Sequence, residues 1–172
     1  MCNESVIGYI ETRRSIRRFT DEQVTRETIE ALIDAARWAP SGLNNQPWRF
    51  ITVESREVLD KLASFTKYSR ILKSATAAIA VFIDTSRIYH REKDIQSIGA
   101  AIENILLAAH SYGLGACWLG EILNRHEEVE NALEAPLDLE LMAVIALGYP
   151  LDDEPPVAKN RYPLDEVIVK HL

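Results

Sequence analysis

The sequence contains little cysteine and no long hydrophobic run, and both absences limit the classes of protein it can encode. Only two cysteines, Cys2 and Cys117, occur in 172 residues, so the fold does not depend on a framework of disulfides. The longest mostly apolar stretch, residues 75–83, has nine residues, whereas a helix that crosses a bilayer needs about twenty. The first residues lack the basic and apolar regions of a signal peptide. We therefore expect a cytoplasmic protein without a membrane partner.

Positive charge and familiar catalytic motifs are also scarce. The chain has 19 Lys and Arg against 26 Asp and Glu, a formal net charge of -7. A nucleic-acid partner is not expected, because binding nucleic acid needs a broad basic surface. The sequence has no Gly-x-Ser-x-Gly elbow and no phosphate-binding P-loop, and its four histidines fit no zinc spacing. We expect a protein that handles small molecules and has no metal site.

Hydrophobic periodicity predicts helices and strands along the whole chain, so we expect one domain over residues 1–172. Helices are predicted at residues 4–13, 25–38, 58–63, 95–112 and 125–133, and strands at residues 50–53, 77–84, 116–119, 141–147 and 167–169. The strand at 77–84 is apolar on both faces, which is typical of a central strand. The helix at 95–112 is apolar almost all round, which favours burial in a core or an interface. Thr25 and Gly113 suit the caps of the helices beside them.

Four arginines are concentrated in residues 13–18 of this acidic chain. If the segment is extended, Arg13, Ser15 and Arg17 project from one face, because side chains alternate along a strand. Two guanidinium groups and a hydroxyl on one face suit a phosphate ester or another planar anion. A solvated basic turn that pairs with surface carboxylates is the simpler explanation of this segment by itself.

Three further segments carry side chains that suit a ligand, and each also has a purely structural explanation. Residues 39–50 form a loop rich in amides, which could meet the edge of a heteroaromatic ring or cap their own turn. Residues 113–121 contain three glycines but not the dinucleotide fingerprint, because Trp118 replaces its third glycine. Those glycines allow the backbone to approach a flat ligand, or only end a helix before a core strand. Residues 159–161 add two cations, which suit an anion site or local charge balance.

The order of these segments is more specific than any one of them. The landmarks are Arg13-Arg14-Ser15-Ile16-Arg17, Ala39-Pro40-Ser41 with Asn44-Asn45-Gln46-Pro47-Trp48, the helix at 98–109, the stretch 113–120, Gly148-Tyr149-Pro150 and Lys159-Asn160-Arg161. In this order they resemble the nitroreductase family of FMN-containing NAD(P)H oxidoreductases, from about residue 7 to about residue 169. The resemblance implies an α+β fold with a central, mostly antiparallel sheet flanked by helices. It also implies a homodimer with exchanged C-terminal tails, in which residues 167–169 add a strand to the partner.

The resemblance further implies which residues bind FMN. Positions that hold the phosphate and the ribityl chain match Arg13, Ser15, Lys159 and Arg161, with Arg14 in the same region. The basic residue beside the flavin pyrimidine ring matches Arg17. A loop that reaches the FMN of the other subunit matches Pro40, Ser41 and Gly42, and positions near the flavin match Asn44 and Gln46. The strand end whose backbone lies near flavin N5 matches Trp118, Leu119 and Gly120.

In the family reaction NAD(P)H gives a hydride to flavin N5 and leaves, and a flat acceptor such as a nitroaromatic or a quinone then enters, a ping-pong mechanism without a catalytic side chain. Other flavin reactions on the same fold (flavin fragmentation, dehalogenation, ring oxidation) and an FMN-binding protein without turnover remain alternatives. The order Gly120-Glu121 reverses the Glu-Gly of many nitroreductases, which leaves open a role for Glu121 near N5. The match of Lys67 and Arg70 to basic residues near the ring is open as well.

Overall fold

A four-stranded sheet forms the centre of the computed structural model, which describes residues 5–151 and 161–172. Its strands are β1 (Trp48–Val53), β2 (Ala77–Asp84), β3 (Gly115–Leu119) and β4 (Leu139–Gly148). They lie in the order β1-β2-β4-β3, and each neighbouring pair is antiparallel. The predicted α+β fold with an antiparallel sheet flanked by helices is confirmed.

The two inner strands are covered on both faces. All eight residues of β2 are buried, as its apolar run predicted. Ile79 and Val81 belong to the core on one face of the sheet, whereas Ala80 and Phe82 belong to the core on the other. The alternation of side chains along one strand therefore supplies two separate cores.

The helices are α1 (Val6–Thr12), α2 (Arg26–Ala36), α3 (Arg56–Ala63), α4 (Ser69–Ser74), α5 (Arg91–Ser111), α6 (His126–Ala132) and α7 (Leu164–Val167). Residues of α2 and α5 line the first core, and residues of α3, α4 and α6 line the second. Thr25 caps α2 by accepting a hydrogen bond from the Thr28 N–H, as predicted. Gly113 has a φ of 74°, the left-handed conformation predicted after α5. Within residues 5–151 and 161–172 no helix is long and apolar enough to cross a membrane.

Two elements differ from the prediction. Helix α4 was missed, because its six residues bury only Ile71 and Leu72 and show no clear periodicity. The predicted strand at residues 167–169 is wrong for the single chain: Val167 ends α7, and residues 168–172 have no regular structure. The Ile168 N–H donates instead to the Leu164 carbonyl at 2.8 Å. A strand requires a neighbouring strand for its backbone hydrogen bonds, so tail exchange between subunits stays a prediction.

Candidate functional site

Residues 13–18, here called the arginine segment, lie beside the end strand of the sheet. Ser15 forms a parallel bridge with Ala116 of β3, and the Ile16 N–H donates to the Ala116 carbonyl at 3.0 Å. The structure thus brings together two of the segments that the sequence singled out.

Two glycines make this approach possible. A Cβ on Gly115 would lie 2.7 Å from Cγ2 of Ile16, and one on Gly148 would lie 2.8 Å from Cβ of Phe19. Both distances are shorter than real side-chain contacts, so each glycine leaves room for the arginine segment or its continuation. By contrast, a Cβ on Gly120 would meet no atom within 4 Å. The glycines of residues 113–121 therefore serve different purposes: Gly115 leaves room for Ile16, Gly113 adopts the left-handed conformation that ends α5, and Gly120 borders open space at the end of β3.

The arginines of the segment point to different partners. Nε of Arg13 lies 3.3 Å from Oε1 of Glu103, yet it is buried and has no hydrogen bond of acceptable geometry. The Arg14 guanidinium donates to the Glu11 and Arg13 carbonyls, each at 2.7 Å, which holds it against the end of α1. Arg17 is exposed, and its Nη1 donates to the Ser15 carbonyl at 3.2 Å. Arg13 thus keeps a buried donor that an anion could satisfy.

His110 lies next to this basic region. Its Nε2 is 2.8 Å from the Thr12 hydroxyl, and its ring meets the Tyr9 ring edge-on, with centroids 5.7 Å apart. Burial lowers the pKa of His110, and the charges of Arg13 and Arg14 lower it further. The pKa of His110 is therefore sensitive to the positive charge around the arginine segment.

The end of β3 presents its side chains in opposite directions. Leu119 is buried in the second core, whereas Trp118 is 43% exposed. Trp118 lines an apolar groove of about 410 Å³ together with Ile95, Ile98 and Met142. Cys117 is buried, and burial raises the pKa of its thiol, so it is a core residue as the apolar surroundings suggested.

Glu121 holds the turn between α3 and α4 against the end of β3. Its carboxylate accepts hydrogen bonds from the Thr66 hydroxyl at 2.8 Å and from the Lys67 N–H at 2.9 Å. The hydrogen bond from Lys67, which has the larger effect, and that from Thr66 both lower the pKa of Glu121. This contact could not be predicted from local sequence patterns, because Thr66 and Lys67 are 55 and 54 residues away from Glu121. It places Lys67, whose side chain is 85% exposed, near the β3 end.

Residues 40–46, here called the amide loop, adopt an unusual backbone. Leu43, Asn44 and Gln46 have φ values of 53°, 54° and 49°, the left-handed region that non-glycine residues rarely adopt. Within the loop the Gln46 N–H donates to the Ser41 hydroxyl at 3.1 Å, and the Gln46 side chain donates to the Asn44 carbonyl at 3.2 Å. The side chains of the loop therefore do cap their own turn, which was one of the two explanations of this segment, but the backbone is strained.

The amide loop and the arginine segment contact opposite parts of α5. Asn45 of the loop donates to Asp94 near the start of the helix, whereas Arg13 pairs with Glu103. Nine residues of helix separate these contacts by roughly 13 Å. Pro40, Asn44 and Gln46 are exposed, as is Arg161; Lys159 lies outside the described residues.

Comparison with known proteins agrees with this architecture. The model of the Nitroreductase family matches residues 10–69 and 66–149. A protein of Archaeoglobus fulgidus named "Putative NADH dehydrogenase/NAD(P)H nitroreductase" is 40% identical over 155 residues, which cover 88% of this chain and 88% of the relative. The iodotyrosine deiodinase of Thermotoga neapolitana is 30% identical over 184 residues, covering 92% of this chain and 93% of the relative.

A solved structure is similar over nearly the whole chain. It is that of a "putative nitroreductase in complex with fmn" from Desulfovibrio desulfuricans, with a TM-score of 0.91 and 42% identity over 99% of this chain and 98% of that one. Because the family model spans most of the sequence and these relatives cover it almost end to end, the chain belongs to the Nitroreductase family.

Proposed function

We propose that this protein is an FMN-dependent oxidoreductase that takes electrons from NAD(P)H and passes them to a flat acceptor such as a nitroaromatic or a quinone. The observation that carries the proposal is the arginine segment, which is hydrogen-bonded to β3 and holds a buried Arg13 Nε that is ion-paired with Glu103 but makes no hydrogen bond of good geometry. Membership of the Nitroreductase family and the FMN complex of the Desulfovibrio relative support it.

The arginine segment fits a phosphate group. A phosphate dianion requires several charge-assisted donors, and Arg13 and Ser15 are adjacent half-buried candidates. Nε of Arg13 lies 3.3 Å from the Glu103 carboxylate without a hydrogen bond of good geometry, so an anion placed here would give that donor a better-aligned acceptor. Arg14, Lys159 and Arg161 would complete the site.

The end of β3 fits the ring of the cofactor. Open space beside Gly120 allows a flat ring to approach the backbone of Trp118, Leu119 and Gly120. Arg17 is an exposed cation on the same segment as Arg13, where it would stabilise negative charge on a bound ring. When bound, FMN would supply the redox chemistry, and these residues would supply its position and its electrostatic surroundings.

We further infer a homodimer in which the amide loop contacts the FMN of the partner, through Pro40, Ser41 and Gly42 with Asn44 and Gln46 nearby. The separation of the loop from the arginine segment along α5 supports this arrangement. So does the exposed apolar tail, in which Val169 is 97% exposed and Leu172 106%. Deleting residues 165–172 should weaken the dimer in sedimentation velocity; an unchanged dimer would exclude tail exchange.

The groove beside Trp118 is suited to the acceptor. It has a volume of about 410 Å³, within the range of small-molecule sites. Its lining is mostly apolar, and its polar rim contains the Arg91–Glu140 ion pair. A flat, largely apolar molecule would be sheltered from water there next to the strand end assigned to the flavin.

Reductive dehalogenation of an aromatic ring is a second candidate. The iodotyrosine deiodinase of Thermotoga neapolitana matches 92% of this chain. Incubating the FMN-loaded protein with iodotyrosine and a reductant would release iodide if this reaction occurs. Turnover of nitroaromatics or quinones without iodide release would favour the first candidate.

The direct test of the proposed function is the visible spectrum of the protein after soaking in FMN and desalting, followed by anaerobic NADH and then NADPH. A retained flavin band that bleaches is the expected result. A retained band that neither donor bleaches would indicate a flavin-binding protein or another reductant. No retained flavin would contradict the proposal.

A further inference from the structure

Asp94 is a completely buried carboxylate near the start of α5. It has 0% exposure, and its two oxygens accept three hydrogen bonds. Oδ1 accepts from Nδ2 of Asn45 at 2.9 Å, and Oδ2 accepts from the N–H groups of Tyr89 at 3.0 Å and His90 at 3.1 Å. A buried carboxylate is costly unless it is fully hydrogen-bonded, and these donors supply that compensation.

One of these donors anchors the amide loop. Nδ2 of Asn45 donates to Asp94 and also to the Arg87 carbonyl at 3.1 Å. Asn45 itself has an ordinary φ of -71°, but it stands between Asn44 and Gln46, which are both left-handed. The anchored residue is therefore flanked by strained ones.

The second donor fixes an aromatic ring against the same loop. The N–H of Tyr89 is held by Asp94, and a Cβ on Gly42 would lie only 2.3 Å from the Tyr89 hydroxyl oxygen. Gly42 therefore lies directly against the ring. Nζ of Lys93 lies 5.5 Å from the centroid of the same ring. Asp94 thus holds the amide loop at two points, directly through Asn45 and indirectly through Tyr89.

The strain of the loop suggests a reason for these two contacts of Asp94. A left-handed residue other than glycine, asparagine or aspartate costs roughly 1–2 kcal/mol, and the loop has two of these, Leu43 and Gln46, beside the left-handed Asn44. All three are exposed, so their conformation gains no burial in the core. Strain of this kind persists where the surrounding contacts impose it, and it is concentrated at functional sites.

We propose that Asp94 is a positioning residue for the reaction: through Asn45 and Tyr89 it holds the amide loop in the strained conformation that contacts bound flavin. The inference rests on the proposed function, because it assumes that the loop touches FMN. Because Asp94 is completely buried, it would not itself touch the cofactor or the reacting atoms. Its effect passes through the loop.

The test compares Asn45→Ala with Asn104→Ala. Asn104 is a matched control, because its Nδ2 also joins α5 to another element, donating to the Ala35 carbonyl at 3.2 Å. In FMN-loaded protein, the rate constant for flavin bleaching by saturating NADH or NADPH should fall roughly tenfold or more in Asn45→Ala, since small misplacements near reacting groups have effects of this size. In Asn104→Ala it should stay near the wild-type value.

A second readout needs no flavin. In flavin-free protein, amide hydrogen exchange at Gln46 should be faster in Asn45→Ala than in wild type or Asn104→Ala. Equal exchange, or equal bleaching rates in the two variants, would overturn the proposal while leaving the proposed function intact. If wild type neither retains FMN nor bleaches, the proposed function and the positioning role fail together.

A milder variant covers the case in which Asn45→Ala does not fold. Tyr89 is 42% exposed, so Tyr89→Ala leaves the buried carboxylate and its backbone donors in place. It should slow bleaching in the same direction and release the loop at Gly42. A wild-type bleaching rate in Tyr89→Ala would overturn the proposal.

Discussion

The arginine segment and the amide loop carry most of the predicted site residues, and they are held in place by different means. The arginine segment bonds to β3 through its backbone, and Ile16 occupies the space left by Gly115. The amide loop has three left-handed residues and is held by side-chain hydrogen bonds, above all that from Asn45 to Asp94. One half of the candidate site is therefore bonded to the edge of the sheet through an isolated bridge, whereas the other is attached to a helix.

This difference should separate function from stability. Disturbing the arginine segment also disturbs packing against the sheet, so stability and flavin binding should change together. The amide loop is mostly exposed, so relaxing it should affect the reaction more than the fold.

Arg13→Ala should have the largest effect. Hydrogen bonds to charged groups contribute about 1.5–3 kcal/mol, so the dissociation constant for FMN should rise by roughly 10- to 100-fold. Isothermal titration with FMN measures it. Glu103→Gln is the control, because it removes the negative charge beside Arg13 but keeps the guanidinium. Unchanged affinity in Arg13→Ala would exclude the phosphate assignment.

Gly115→Ala and Gly120→Ala should affect different properties. At Gly115 the added methyl meets Ile16, so the free energy of unfolding should fall by about 1–3 kcal/mol, as in other overpacked sites. At Gly120 the methyl meets no protein atom within 4 Å. The free energy of unfolding should then change by less than about 0.5 kcal/mol, while flavin binding weakens. Urea unfolding and flavin titration measure the two effects, and equal loss of stability would contradict the contrast.

Leu43→Gly should stabilise the fold by up to about 1 kcal/mol. Glycine removes the energetic cost of the left-handed conformation, but part of this gain is offset because glycine loses more conformational entropy on folding. Leu43 is 85% exposed and has a φ of 53°, so little packing is lost. Leu137→Gly is the matched control: Leu137 is 105% exposed and is not among the left-handed residues. Urea unfolding should show lower stability for Leu137→Gly. The same loss in both variants would argue against strain in the loop.

The smallest predicted effect is on His110. Burial, followed by the charges of Arg13 and Arg14, lowers the pKa of His110. The neutral ring therefore contributes stability to the fold above the unfolded-state pKa of about 6.5. That stability is lost as the pH falls through the pKa of the folded state. A phosphate beside Arg13 would offset part of the positive field. The His110 pKa from NMR titration should therefore be higher with FMN bound than without it. A lower value with FMN would place the anion elsewhere.

Local patterns predicted much of the fold. The Thr25 cap, the left-handed Gly113 and the buried β2 were all visible in a few neighbouring residues. The proximity of the arginine segment to β3 followed from the family resemblance rather than from the residues themselves.

Contacts distant in sequence could not be predicted in the same way. Asn45 and Asp94 are 49 residues apart, and Thr66 and Glu121 are 55 apart. The sequence around each of these residues does not indicate which distant residue it contacts. The tail was assigned a strand because its residues are apolar, but a strand forms only where another strand is available.

The central claim is that one site combines the arginine segment of one protomer with the amide loop of its partner. Its most direct test mixes Arg13→Ala chains with Gly42→Asp chains and purifies the heterodimer by two tags. If sites are shared, one site of each heterodimer contains both defects and the other contains neither. At an FMN concentration too low to fill the weakened sites of either homodimer, FMN binding and bleaching by NAD(P)H should then reappear in one site of each heterodimer. If each protomer builds its own site, every site carries one defect. A heterodimer as inactive as the two homodimers would contradict the account.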